Sequence, residues 1–234
     1  MESLVALTLI TIFGSGLLSA ADGLIAYDGF AYPSGGGLVN NAGGSGWAGA
    51  WTDGFNGVAA ESLKSKLGET PAVTGGRMLC ASPDWASVRK LTTPIGDKSG
   101  TWYVSFLVAN EADSTQEHYI RFEVGGDKGF GFGKAWMSGT WALLSPKEIG
   151  STVGCATKDP VFVVLKAIYA ADKGVSKIQA FFDPDLATEP KIADIEAAGL
   201  DLGVGDSVRL VGKKAASFDE VRIGTTWASV CPTK

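Results

Sequence analysis

The chain has 234 residues, a formal net charge of -5 and 45% hydrophobic residues. This length is that of one β-sandwich of ordinary to large size, and the hydrophobic fraction is enough for a sizeable core. The sequence has no basic cluster, which excludes nucleic-acid binding through phosphate contacts. Glycine occurs 32 times, about twice its usual frequency. Many glycines with many aromatic residues and few helix-forming runs predict an all-β fold of short strands and tight turns.

The beginning of the chain reads as an export signal. Residues Leu4–Leu18 are apolar, and Ser19–Ala21 provide a small-residue cleavage site with Asp22 as the mature start. No lysine or arginine precedes the apolar run, so an uncleaved membrane anchor is the alternative. We therefore expect residues 1–21 to be a signal peptide and residues 22–234 to form a single domain that is secreted or lies at the cell surface.

Strands are predicted where apolar and polar residues alternate and where β-branched and aromatic residues are enriched. In chain order the predicted strands are 24–27, 77–81, 85–91, 101–109, 118–124, 129–134, 140–144, 161–170, 175–183, 207–212 and 217–224. Strands at this spacing, with turn residues between them, are typical of an antiparallel sandwich or barrel.

Several local connections are also predicted. A Ser-Pro-Asp turn is expected to join 77–81 to 85–91, and hairpins are expected between 101–109 and 118–124 and between 161–170 and 175–183. Two segments, 59–67 and 194–200, have the spacing of short helices.

One group of acidic residues has a spacing used in catalysis. Glu111, Asp113 and Glu117 nearly fit the bulged acidic strand of laminarinase-type glycosidases, in which carboxylates serve as nucleophile and acid. Such a strand requires apolar residues between the acids, whereas this segment is polar throughout. The alternative, a solvated loop at the tip of a hairpin, fits better, and no catalytic residue is predicted.

Tryptophan is abundant, with seven residues, and exposed indole rings stack on the C–H faces of sugars. Trp47 and Trp51 stand four apart among glycines, and Trp136 and Trp141 flank a Met-Ser-Gly loop. These four are predicted to bind a ligand. The alternative for each is a place in the core, which is the prediction for Trp102 because its strand is apolar on one face.

Three cysteines are too widely spaced for a zinc site, and the single histidine, His118, is distant from all of them. In an oxidising compartment we expect one disulfide and one buried thiol. Cys155 and Cys231 are the expected pair, with Cys80 buried. The alternative is three isolated thiols.

Both ends of the mature chain resemble a known family. The string SFDEVRIGTTWASV, with DLGVGDSVRL before it, resembles the end of concanavalin A-like (LamG-type) domains of bacterial exported proteins. The strings AYDGFAYPSGG and GGSGWAGAW resemble the beginning of these domains, and TWYVSFLV and FFDPDLATEP resemble their middle. The resemblance implies a two-sheet jelly roll in which the first and last strands lie side by side.

The same resemblance implies a structural calcium ion at the chain ends. Asp219 matches an aspartate of the last strand that holds calcium in related sandwiches, and Asp28 is the expected partner. The metal-free alternative is that backbone N–H groups or Arg222 bind the Asp219 carboxylate. No other cofactor is expected.

The fold class includes lectins, adhesion modules and glycosidases, so it does not assign an activity. The expected function is a secreted, non-catalytic module that binds carbohydrate or mediates adhesion at the cell surface or matrix. Its expected partner is a glycan or a cell-surface polymer, and contact with a membrane is expected only through an uncleaved leader. The alternatives are a structural or self-assembling surface protein and an unusual glycoside hydrolase.

Overall fold

The computed structural model describes residues 22–65, 71, 73–80, 86–110, 120–125, 128–134, 139–145, 147–153, 159–170, 176–212 and 216–233. Within these residues the strands are β1 Leu24–Asp28, β2 Gly57–Ala59, β3 Arg77–Cys80, β4 Ala86–Ile95, β5 Gly100–Asn110, β6 Ile120–Val124, β7 Phe130–Lys134, β8 Trp141–Ser145, β9 Lys147–Val153, β10 Val161–Tyr169, β11 Ser176–Phe182, β12 Ile195–Leu200, β13 Gly205–Gly212 and β14 Ala216–Gly224. One short helix, α1, spans Trp227–Val230. No helix in these described ranges is long and apolar enough to cross a bilayer, and the expected leader lies outside them.

The strands form two antiparallel sheets packed face to face. The larger sheet has the order β12-β11-β10-β5-β14-β3-β2, and β1 also pairs with β14. The smaller sheet has the order β4-β13-β6-β7-β8-β9. The predicted all-β, two-sheet antiparallel sandwich is therefore confirmed.

The central strand β5 is buried on both faces. Val104 and Phe106 face the core between the sheets, where the Phe106 ring stacks on Phe122 of β6 with centroids 4.0 Å apart. Trp102 lies on the same face and is 5% exposed, which confirms its predicted place in the core. Tyr103 and Leu107 point to the opposite face, because successive side chains of a strand alternate.

A second apolar cluster covers this opposite face of the larger sheet. Trp227 and Val230 of α1 pack there with Leu63 and Leu186, which come from two loops. The hydroxyl of Thr226 caps the helix by accepting a hydrogen bond from the Ser229 N–H. The larger sheet is therefore shielded from solvent on its outer side in this region as well.

The first and last strands lie side by side, as the resemblance implied. β1 pairs antiparallel with β14, and Asp28 stands opposite Val221. Between β1 and β2, residues 29–56 (the opening segment) run along the open side of the sandwich. An isolated bridge joins Ser45 to Tyr27 of the larger sheet, and another joins Trp47 to Leu91 of the smaller sheet. The opening segment thus closes one side of the core.

Close contact between the opening segment and the backbone of β1 explains why residue 46 is a glycine. Gly46 has a φ of +80°, and a Cβ at this position would lie 1.9 Å from the carbonyl oxygen of Ile25. Only glycine allows the opening segment to approach β1 this closely.

Some of the local predictions are wrong. β5 and β6 lie in different sheets, so the hairpin expected between them is not formed. β3 and β4, which a turn was expected to join, also lie in different sheets. The β10–β11 hairpin is confirmed. Residues 194–200 were expected to be helical, but 195–200 form β12, which pairs with β11. The other expected helix, 59–67, is not formed in its described part. Ala59 ends β2, and residues 60–65 are not helical.

Candidate functional site

Trp51 is a core residue, which corrects its prediction as a ligand-binding residue. Its side chain is 0% exposed, and its ring stacks on Phe30 with centroids 5.9 Å apart. Its indole N–H donates a 2.8 Å hydrogen bond to the Asp28 carboxylate. A sugar has no access to either face of this ring.

Trp141 is also buried, which corrects the second prediction of this kind. It begins β8, is 2% exposed and stacks on Phe132 of β7 with centroids 5.3 Å apart. Trp136, which was predicted to bind a ligand together with Trp141, lies outside the described residues.

Trp47 is half-buried and borders a small cavity. Its indole N–H donates to the Tyr27 carbonyl oxygen over 2.9 Å, and the Arg89 guanidinium lies 4.9 Å from the ring centroid. The cavity of about 220 Å³ is lined by Trp47, Arg89 and small residues of the opening segment. The indole is therefore held by its own chain, and only part of it can meet a ligand.

Asp28 lies at the centre of a buried polar group. Its carboxylate accepts hydrogen bonds from the Phe30 N–H, the Tyr32 hydroxyl, the Trp51 indole and the Arg89 guanidinium. Burial raises the pKa of Asp28, and these donors oppose the shift. Because every donor comes from the opening segment or β4, the carboxylate fixes this segment on the sandwich.

Asp219 is buried in β14 and bonded to backbone. Its two oxygens accept hydrogen bonds from the Leu63 N–H and the Glu220 N–H, at 2.9 and 2.8 Å. Burial raises the pKa of Asp219 to about 8, and the charge of Glu220 adds to the shift. The carboxyl group holds the loop before residue 66 against the larger sheet, as the metal-free alternative for this residue expected.

These surroundings do not fit a calcium ion shared by Asp28 and Asp219. Calcium requires several oxygen ligands, whereas N–H donors point at the oxygens of both residues and Arg89 adds a positive charge beside Asp28. No group of three or more His, Cys, Asp or Glu side chains in the described part of the chain could hold a metal ion.

A second buried ion pair lies next to Asp219, and the sequence did not predict it. Glu220 has a φ of +51° at an irregularity in the β14–β5 pairing, and its carboxylate binds Arg222 at 2.6 Å. It also accepts hydrogen bonds from the Thr74 N–H and the Tyr27 hydroxyl. The left-handed conformation turns the acidic side chain toward these partners.

The expected disulfide is not formed in the structure. Cys231 is a free, buried thiol packed in the apolar cluster around Trp227, and burial raises its pKa to about 12. Cys155 lies outside the described residues. Cys80 is buried in the core between the sheets, as expected. The acidic group Glu111, Asp113 and Glu117 also lies outside the described residues.

The opening segment forms a surface cleft that the sequence did not reveal. Two stretches of this segment run together, with hydrogen bonds from the Leu38 N–H to the Asn56 carbonyl and from the Asn40 N–H to the Trp51 carbonyl, at 2.7 and 2.9 Å. Between these bonds, Thr52 pairs with Val88 of β4 in an isolated bridge, and residues 53–55 form a loop that lines a cleft together with Val39. The cleft lies between Val39 and this loop.

Backbone conformation shapes the tip of the loop. Asp53 and Gly54 have φ values of +57° and +78°, which aspartate and glycine tolerate better than other residues. The reversal projects Phe55 into solvent, where its side chain is 69% exposed.

The cleft combines apolar and polar groups. It has a volume of about 550 Å³ and is lined by Gly37, Val39, Asp53, Gly54, Phe55 and Asn56. Phe55 and Val39 provide apolar surface, and the exposed Asp53 provides a carboxylate. Asn56 is 1% exposed, and its Oδ1 is buried without a hydrogen-bond partner among the described residues. An exposed aromatic ring beside a carboxylate can bind a ligand that has both an apolar face and hydroxyl groups.

No protein-family model matches the chain, and no curated protein matches it in sequence. Similar solved structures exist. The binding domain of botulinum neurotoxin serotype D has a TM-score of 0.52 and 10% identity, over 89% of this chain and 50% of that one. The binding domain of botulinum neurotoxin DC in complex with SialylT has the same values.

The receptor binding domain of botulinum neurotoxin mosaic serotype C/D gives a TM-score of 0.52 and 11% identity, over 89% of this chain and 48% of that one. This chain therefore spans about half the length of these structures. At this identity the likeness shows the fold alone, a jelly-roll-like β-sandwich of the kind found in these binding domains.

Proposed function

We propose that this chain is a non-catalytic carbohydrate-binding module of the concanavalin A-like (LamG-type) group, and that the sugar binds in the cleft beside Phe55. The observation that carries this proposal is the 69% exposed ring of Phe55 in a cleft that also contains the exposed carboxylate of Asp53.

The composition of the cleft suits a sugar ring. A pyranose has an apolar C–H face, which stacks on an aromatic ring, and hydroxyl groups at its edge, which donate hydrogen bonds. The cleft volume of about 550 Å³ lies in the range of small-molecule sites. A neurotoxin binding domain of similar fold, in complex with SialylT, gives further support.

Binding without catalysis is proposed from the carboxyl groups of the cleft. Most glycosidases place two carboxyl groups on either side of the scissile bond, as acid and as base or nucleophile. Among the six residues that line the cleft, Asp53 alone carries a carboxyl group. We therefore favour a binding module over a glycoside hydrolase.

The proposed place of action is outside the cell. The support is the apolar run before Ser19 and the small residues up to Ala21. Intact-mass measurement of the protein recovered from the periplasm or medium tests this proposal. A chain that begins at Asp22 supports export with cleavage, and a mass that retains residues 1–21 contradicts the cleavage.

A glycan array with the full chain tests the proposed function, with two variants beside the natural sequence. Phe55→Ala removes the stacking ring and should weaken binding to the bound glycans by about fivefold to tenfold. Ile192→Ala, at a residue that is 85% exposed and does not line the cleft, should bind within about twofold of the natural chain. Thermal melting confirms that both variants are folded. Absence of glycan binding, or equal binding by Phe55→Ala, contradicts the proposal.

A further inference from the structure

The guanidinium of Arg89 has one nitrogen that the described part of the chain does not use. Its Nε donates a 2.9 Å hydrogen bond to the Gly49 carbonyl oxygen, and Nη1 donates to the Asp28 carboxylate and the Tyr32 hydroxyl. Nη2 makes no hydrogen bond with any described residue. Since a guanidinium has five N–H donors, two of them on Nη2, these two donors need a partner from outside the chain.

Nη2 can be reached from the small cavity beside Trp47. In the planar guanidinium Nη2 lies on the same edge as the Nε–H bond, and this bond points to Gly49. Arg89 and Gly49 both line the cavity of about 220 Å³.

The cavity is open to solvent, because Ala48 and Gly49 in its wall are exposed. The Arg89 side chain is 1% exposed, yet Nη2 is accessible. The unpartnered side-chain atoms that are sealed from solvent in the described ranges belong to Asn56, Arg121 and Trp141. A small group in the cavity can therefore accept a hydrogen bond from Nη2.

The remainder of the cavity wall favours an acceptor with negative charge. Among the eight described residues that line the cavity, Arg89 alone carries a charge. The backbone N–H groups of Gly44, Gly46 and Gly49 donate no hydrogen bond to another described residue. Unpaired N–H groups next to a guanidinium are the donors that oxyanions bind in proteins.

We infer that this cavity is a binding site for an oxyanion, a carboxylate or sulfate group that accepts hydrogen bonds from Nη2 of Arg89. It shares no lining residue with the cleft beside Phe55, so this inference is independent of the proposed function. Asp28 already balances the charge of Arg89, so we expect dissociation constants in the millimolar range.

NMR titration of the isotope-labelled full chain tests the site, with sodium chloride keeping the ionic strength constant. Sodium sulfate is the probe for a free anion, methyl β-D-glucuronide for an acidic sugar, and methyl β-D-glucoside is the neutral control. Sulfate and the glucuronide should shift the Nε–H signal of Arg89 and the backbone amides of Gly46 and Gly49. A response to sulfate without one to the glucuronide identifies a free anion as the ligand.

A pair of variants of the same shape tests the location, because removal of Arg89 itself would destabilise the fold. A Cβ at Gly49 meets no atom within 4 Å, so a side chain fits there. Gly49→Asp should bind the anion about fivefold or more weakly than Gly49→Asn, because only the aspartate repels it. Ile192→Asp adds the same charge at a residue outside the cavity wall and should bind within about twofold of the natural chain.

Thermal melting confirms that each variant is folded. If Gly49→Asp does not melt cooperatively, Ala48→Glu and Ala48→Gln replace the pair, because Ala48 is exposed and also lines the cavity. Three results would overturn the inference: no shift at these amides with sulfate or glucuronide, an equal response to the glucoside and the glucuronide, or equal affinity of the aspartate and asparagine variants.

Discussion

Asp28 on β1 and Arg89 on β4 form an ion pair in which each side chain is 1% exposed. β1 belongs to the larger sheet and β4 to the smaller one, so the pair joins the two layers of the sandwich. The Trp51 indole and the Tyr32 hydroxyl donate hydrogen bonds to the same carboxylate, and these bonds fix the opening segment against the sandwich at this ion pair. The surface cleft is built on the segment that this ion pair anchors.

Removal of one partner of this ion pair should therefore lower the free energy of unfolding. Arg89→Met leaves the Asp28 carboxylate buried without its cation, and we expect a loss of about 3–5 kcal/mol in the free energy of unfolding. Urea unfolding followed by tryptophan fluorescence measures the loss. The double variant Asp28→Asn, Arg89→Met should lose less than the sum of the two single variants. Additive losses would show that the two charges are not coupled.

The positions of most strands could be predicted from the sequence, but the pairing between the strands could not. The β10–β11 hairpin was predictable because a short polar turn joins two alternating strands. The connections β3–β4 and β5–β6 cross between the sheets, and nothing local distinguishes such a crossing from a hairpin. Residues 194–200 contain helix-forming residues, yet pairing with β11 overrides this preference and produces a strand.

Asp219 should make the stability of the fold depend on pH. Its pKa is about 8 in the folded protein against an ordinary value of 3.8, so between these values the folded state holds a proton that the unfolded chain has lost. This contribution is fully present below about pH 4 and is lost as the pH rises to about 8, with a slope of up to about 1.4 kcal/mol per pH unit. Burial also raises the pKa of Glu220, which acts in the same direction, although Arg222 opposes that shift.

The pH dependence is measured by urea unfolding at intervals from pH 4 to pH 8. Asp219→Asn cannot titrate, so its free energy of unfolding should fall less steeply over this range than that of the natural chain. Asp206→Asn, at an exposed position of β13, is the matched control and should keep the natural slope. Identical slopes for all three proteins would show that Asp219 does not gain a proton on folding.

Calcium should have no effect on the thermal stability of the chain. The N–H donors around Asp28 and Asp219 occupy the oxygens that a metal would need. Melting temperatures in excess calcium and in excess chelator should agree within about 1 °C, because an ion that does not bind the folded state cannot shift unfolding by mass action. A higher melting temperature in calcium, lost with Asp219→Ala, would contradict this account.

The candidate site was much harder to predict than the fold. Tryptophan was taken as the sign of a sugar site, yet Trp51 and Trp141 serve the core because large aromatic rings contribute most when they are buried. Phe55 stands in a loop of glycine, asparagine and aspartate, where no alternation marks it. Its exposure follows from the positive φ values of Asp53 and Gly54.

The central claim is that a sugar binds in the cleft beside Phe55, and NMR titration of the isotope-labelled chain tests it most directly. With a methyl glycoside as the probe, we expect the largest shift changes at the backbone amides of Asp53, Gly54 and Phe55. Phe55→Ala should abolish these changes, and Ile192→Ala should leave them in place. Shift changes that centre on other residues, or none at saturating sugar, would contradict the claim.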